Sequence, residues 1–156
     1  MSKIAALSLV LMLAATAAFA THAAAQPAHC PGETTADNNQ CFSERLDRAN
    51  ADLARYVAAA RQRLTEEARS AQAGDTTAAK ALTDFDAAEK AWAKYADAEC
   101  GAVYDYWYGG AIRLVQNLDC QISLTRLHTH TIWRQWLTYM DSTPPILPEP
   151  PLSPAP

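Results

Sequence analysis

The sequence predicts an all-α domain: a long antiparallel helical hairpin plus a third helix, held by two disulfides. Three observations carry this expectation. Apolar residues recur every three or four positions through two long stretches free of glycine and proline, residues 41–70 and 78–100. No segment alternates apolar and polar residues with a period of two, so no strand competes. Four cysteines, Cys30, Cys41, Cys100 and Cys120, all follow an apolar leader, which places them in a compartment where disulfides form.

That leader comes first. Met1-Ser2-Lys3 is a short cationic start, and the run from Ile4 to Ala18 is uncharged and apolar. Two A-x-A-like sites follow, Ala18-Phe19-Ala20 and Ala23-Ala24-Ala25, so residues 1–25 read as a secretory signal cleaved after Ala25 or after Ala20. The apolar run is shorter than the roughly 20 residues of a membrane span, which argues against an uncleaved anchor. Cys30 lacks the small-residue setting of a lipid-attachment site. The expected protein is therefore periplasmic or secreted, with no stable membrane span after cleavage. Residues 26–142 have room for one domain, and no break in composition divides them.

Within that domain, residues 26–37 hold Pro27, Pro31 and Gly32 and read as irregular. Asp37 or Asn38 is a good N-cap for a first helix. Leu46, Leu53, Val57, Ala60 and Leu64 share one face of it, and charges fill the remainder through Ser70. Thirty residues would make a helix about 45 Å long. The stretch Ala73-Gly74-Asp75-Thr76-Thr77 is a break, with Gly74 suited to a C-cap and Asp75 or Thr76 to the next N-cap. A second helix is expected from about Ala78 to Val103, with Leu82, Phe85, Trp92, Tyr95 or Ala96, and Val103 on its apolar face. So short a connection makes the two helices antiparallel neighbours.

Residues 104–110, Tyr104-Asp105-Tyr106-Trp107-Tyr108-Gly109-Gly110, interrupt the pattern. Four aromatics in five positions exceed what one helical face buries, and two glycines follow. A third helix is expected from about Ile112 to Tyr139, with Ile112, Val115, Ile122, Leu127, Ile132, Trp133, Trp136 and Leu137 as its apolar residues in a less regular period. From residue 143 onward seven prolines exclude helix and sheet, so residues 143–156 read as a polyproline-II-like or disordered tail. The four cysteines allow three pairings. Each sequence-adjacent pair flanks a non-helical stretch, which favours Cys30–Cys41 and Cys100–Cys120 over the others. Each bridge would contribute about 2–4 kcal/mol.

Catalytic patterns are missing from the sequence. It holds no G-x-S-x-G, no H-E-x-x-H and no glycine-rich phosphate loop. The carboxylates Glu66-Glu67 and Asp84/Asp86 sit among exposed charges on helices. Paired cysteines offer neither a nucleophile nor a metal site. His128-x-His130 invites a metal, but on a helix residues i and i+2 point about 200° apart. The expectation is a protein that is not an enzyme and takes no cofactor or metal. The chain carries 13 basic and 17 acidic residues, a net charge of −4 that becomes −5 when Lys3 leaves with the signal. That balance argues against nucleic acid and leaves basic partners open.

The residues from Ala88 to Cys100, AEKAWAKYADAEC, resemble the signature of the LprI-type lysozyme inhibitor family, roughly A-Q-x-A-W-x-x-(Y/F)-R-D-x-E-C. Gly109-Gly110, Cys120, Thr125 and Arg126 match the elements that follow it, and Thr34 or Thr35 with Cys41 fit its first helix. The resemblance spans about residues 30–137. Departures fall on polar positions: Glu89 replaces a usual glutamine, Ala96 and His128 usual arginines, and Ala54 a usual asparagine. The resemblance implies an exported binding protein that inhibits lysozyme, and it brings no catalytic residues. Its partner would be lysozyme or another basic envelope or host protein, to which an acidic domain is steered.

The aromatic segment Tyr104–Gly110, anchored between Cys100 and Cys120, is the candidate binding surface, with Asp105 between two tyrosines. Tyrosine and tryptophan supply large contact area at low entropy cost. The same aromatics could instead cap the bottom of the hairpin. The alternative function is an envelope-associated structural or protein-interaction module, with the proline tail as a spacer.

Overall fold

The computed structural model describes Cys30 and residues 32–152. The expected signal segment, residues 1–25, lies outside the described residues. Three helices follow in order: α1 Thr35–Ser70, α2 Thr77–Tyr106 and α3 Arg113–Ile132. A five-residue π-helical turn, Trp133–Leu137, continues α3. Each helix packs against the other two, and there is no strand among the described residues. The chain is all-α and carries two disulfides, Cys30–Cys41 and Cys100–Cys120.

α1 begins earlier than Asp37 or Asn38. Thr34 is the N-cap, and Asp37 takes the third helical position. The Asp37 amide donates to Thr34 Oγ1, and the Thr34 amide donates to Asp37 Oδ2, both at 3.1 Å. This reciprocal box satisfies two of the free amides of the first turn, so Asp37 supports the cap instead of being it. The Cys30–Cys41 bridge ties the irregular lead-in to that turn. At 36 residues α1 is about 54 Å long.

Its buried stripe is Arg45, Ala49, Leu53, Tyr56, Ala60 and Leu64, at the helical spacing of three and four. Leu46 and Val57 flank the stripe half-buried. The connection to α2 turns through Gly74, whose φ of +93° suits glycine. Asp75 Oδ1 accepts from the Thr77 amide, and these hydrogen bonds hold the Asp75 carboxyl below its ordinary range. Gly74 is not the C-cap itself; Ala71 is.

α2 buries little: Phe85 and Cys100 are its only fully covered side chains. Of the two candidates for its apolar face, Ala96 is half-buried and Tyr95 exposed. α3 buries Leu118, Ile122, Thr125, Thr129 and Ile132. Two of these five are threonines, so the stripe is regular in space but blurred in hydropathy. Thr129 Oγ1 donates to the Thr125 carbonyl at 2.8 Å, which makes its burial tolerable. Ile112 and Leu127, expected to be apolar contacts, are exposed.

The core joins Leu53, Tyr56, Ala60 and Leu64 of α1 to Phe85 of α2 and to Ile132 and Leu137 at the end of α3. Trp136 meets Phe85 edge-on at 5.5 Å. The third helix stops at Leu137, short of Tyr139, because the backbone becomes extended at Thr138. Arg63 receives that end. Its Nη1 donates to the carbonyls of Trp136 and Thr138, at 2.9 and 3.0 Å, and its guanidinium lies over the Tyr139 ring.

Of the two expectations for the tail, polyproline-II-like or disordered, residues 143–152 are described as an ordered, irregular segment. They form neither helix nor sheet, yet they lie against the bundle. Leu147 packs on the core and Pro150 is buried. The physical reason is that side chains supply the donors this segment needs, as described below.

Three outcomes follow. Replacing Cys100 and Cys120 together by serine should lower the unfolding free energy in urea by about 3 kcal/mol, from loop-closure entropy. Arg63→Ala should cost about 1–3 kcal/mol in the same titration, because two carbonyls lose a charged donor. Burial holds the Tyr56 phenol above its ordinary value of 10.0. The folded chain therefore holds that proton more tightly than the unfolded chain. Its contribution is complete below about pH 10 and is lost as pH rises toward the folded value. Unfolding titrations between about pH 9 and 11 should show a steeper alkaline loss for the wild type than for Tyr56→Phe.

Candidate functional site

The aromatic segment sits where α2 ends. Helix α2 extends through Tyr106, so Tyr104, Asp105 and Tyr106 form its last turn and are not loop. The helix then closes on itself. The Trp107 amide donates to the Val103 carbonyl at 3.3 Å and the Tyr108 amide to that of Asp105 at 3.1 Å. The Gly110 amide donates to Trp107, and Arg113 in turn to Gly110, which starts α3. Neither Gly109 nor Gly110 has positive φ. A Cβ at Gly109 would meet no atom of the chain within 4 Å. Nothing within the fold therefore requires glycine at 109.

The segment is held from below. Cys100 is fully buried and bridged to Cys120 on α3. Asn117 Nδ2 donates to the Cys100 carbonyl at 2.8 Å, binding the same two helices. Tyr104 is turned inward and carries the Arg113 guanidinium 3.7 Å above its ring. It belongs to the support of the segment. Tyr106, Trp107 and Tyr108 face outward, 79%, 38% and 82% exposed. Tyr106 and Trp107 meet edge-on at 5.7 Å, which limits their freedom. Asp105 is exposed beside them. These aromatics do not plug the bottom of the hairpin.

The two histidines diverge as their spacing requires. His128 turns to α2, where its Nε2 lies 3.0 and 3.1 Å from the two carboxylate oxygens of Glu89. Its ring stacks on Trp92 at 4.1 Å. His130 turns to the proline-rich segment and meets Glu149 at 3.0 Å. Among the described residues no three His, Cys, Asp or Glu side chains gather where they could hold a metal ion. An open groove of about 410 Å³ runs between α2 and α3, with Phe85, Ile132 and Trp136 as apolar lining and Asp84, Glu89 and His128 as polar lining. Sequence reasoning missed it, because its two walls are at least 39 residues apart and each reads as an ordinary helix face. Burial, followed by the nearby Arg45, lowers the affinity of Arg126 for its proton.

Fold and surface thus define a disulfide-stapled three-helix domain with aromatics displayed at one end. The family model described as Lysozyme inhibitor LprI matches residues 27–131, and the chain belongs to that family. No curated protein and no solved structure matches the chain. Among the described residues no helix is long and apolar enough to cross a membrane.

If the aromatic end is rigid because of its support, Arg113→Ala should free the Tyr104 ring. The expected loss is about 0.5–2 kcal/mol of stability. Faster exchange of the 107–110 amides, read by hydrogen exchange, should accompany it.

Proposed function

We propose that this protein is a periplasmic or secreted lysozyme inhibitor that occludes the lysozyme cleft with the end of α2. Asp105, Tyr106, Trp107, Tyr108 and Gly109 would form the contact, with Tyr104 and Gly110 as its support. The observation that carries the reading is the outward display of three consecutive aromatics on a segment anchored by a buried disulfide. A preorganised aromatic surface loses little entropy on binding. Lysozyme clefts hold a carboxylic acid and a carboxylate. Tyrosine hydroxyls are donors to such groups, whereas Asp105 suits the basic surroundings of the cleft. The net charge of −4 favours encounter with a basic enzyme. Two disulfides and membership of an inhibitor family support a place outside the cytoplasm.

Lysis of cell walls by lysozymes of several classes should slow when the purified protein is in excess. Trp107→Ala should weaken inhibition about 30-fold or more, as loss of a central anchor does. Asp105→Ala should act mainly on the association rate and on its salt dependence. Gly109→Ala is a direct probe of contact, because the added methyl meets nothing within the chain. Lost inhibition in a normally folded Gly109→Ala variant would place the partner against that backbone. Undiminished lysis with every lysozyme class would refute the inhibitor reading and leave an envelope interaction module.

A further inference from the structure

A proline-rich strand has a particular recognition problem. Its prolines carry no N–H, so it offers carbonyl acceptors and ring surface but few donors. Whatever binds it must bring side-chain donors and apolar walls. The groove between α1 and α3 does both for residues 146–150. Trp133 Nε1 donates to the Leu147 carbonyl at 3.0 Å. Tyr56 Oη donates to the Pro148 carbonyl at 2.6 Å. His130 Nε2 meets the Glu149 carboxylate at 3.0 Å. Three successive residues of the strand each receive one donor from a different ring. Leu147 reaches the core between these contacts, and Pro150 is buried beyond them.

We infer that this groove is a recognition site for a proline-rich peptide of Leu-Pro-Glu-Pro type, with the chain's own residues 146–150 as its resident, exchangeable ligand. The tethering backbone makes little claim on the fold. Residues 139–146 are exposed, and a single backbone bond, from the Ile146 amide to the Leu137 carbonyl, closes the reversal. The site also lies apart from the aromatic end. The family match stops at residue 131, so the segment and one of its three ring partners, Trp133, are outside it. The tether raises the local concentration of the strand, so a free peptide competes poorly while the chain is intact.

The test cuts the tether in the full chain. A specific protease site inserted between Ser142 and Thr143 allows cleavage after folding. The severed segment should stay bound at high protein concentration and leave on dilution, while circular dichroism stays helical. The Trp133 indole N–H signal should shift as it leaves. A synthetic peptide of residues 143–152 should restore the signal. The same peptide with alanine at Pro148 and Pro150 should bind about tenfold more weakly or worse. Tyr56→Phe should weaken rebinding of the natural peptide by about 5–10-fold, the value of one hydrogen bond. Failure of the peptide to rebind to a helical nicked protein would overturn the inference. So would loss of the helices on release of the segment, which would make it an integral part of the fold. Equal binding of the alanine peptide would also overturn it. None of these outcomes depends on lysozyme inhibition.

Discussion

The hydroxyl of Tyr56 has to find an acceptor, and much of the structure follows from where it finds one. The side chain is 1% exposed, in the centre of the stripe by which α1 contacts the rest of the bundle. A buried hydroxyl without a partner costs about 1–3 kcal/mol. The helices around it have committed their carbonyls to their own ladders, so the acceptor comes from chain that has none. A proline-rich segment is suited to this, because its carbonyls have few internal donors to satisfy. The bond to Pro148 joins positions 92 residues apart and brings Leu147 onto the core. A fourth, irregular layer thus covers a part of the core that no helix covers.

The room for that layer is left by how little α2 contributes. Thirty residues of α2 cover only Phe85 and Cys100 completely, so most of the apolar seam lies between α1 and α3. At one end of the bundle covalent bonds tie the lead-in to α1 and α2 to α3. Both disulfides lie toward the end where α1 begins, and the α2–α3 turn with its aromatics is built on the second of them. The other end is closed by rings and by the strap of residues 146–150. The two ends are stabilised by different chemistry, entropy of cross-linking in one and burial with side-chain donors in the other.

Local pattern made the helices legible, because periodicity and breaks are written in neighbouring residues. The Gly74 turn, the three helices and the pairing of near cysteines all follow from short-range signals. Three things were not legible. Tyr56 stands one position from Val57 on the expected face, and only three-dimensional packing decides which of the two points inward. Thr125 and Thr129 break the apolar count of α3 because each buried hydroxyl has a partner, the helix's own carbonyl for Thr129 and Asn50 Oδ1 of α1 for Thr125. The docking of residues 146–150 was hidden for a deeper reason. Composition states what a proline-rich segment cannot form with itself, and says nothing of donors 14, 19 and 92 residues away. In the candidate site, the aromatic segment was visible as composition, but the division of labour within it was not. Tyr104 turns inward to Arg113, while its three successors turn outward.

The histidine pair shows how a rule about geometry can be right about direction and silent about purpose. Residues two apart on a helix must diverge, and His128 and His130 do. Each nevertheless ends on a carboxylate, Glu89 of α2 for one and Glu149 of the strap for the other. α3 is thereby gripped from both sides within a single turn, at the level where its threonine stripe gives way to Ile132 and the tryptophans. Glu89 and His128 form a polar link between α2 and α3 at that level. His130 and Trp133, one turn apart on the opposite face, are then free to hold the strap. The geometry of a single helical turn thus couples the matched domain to the segment that follows it.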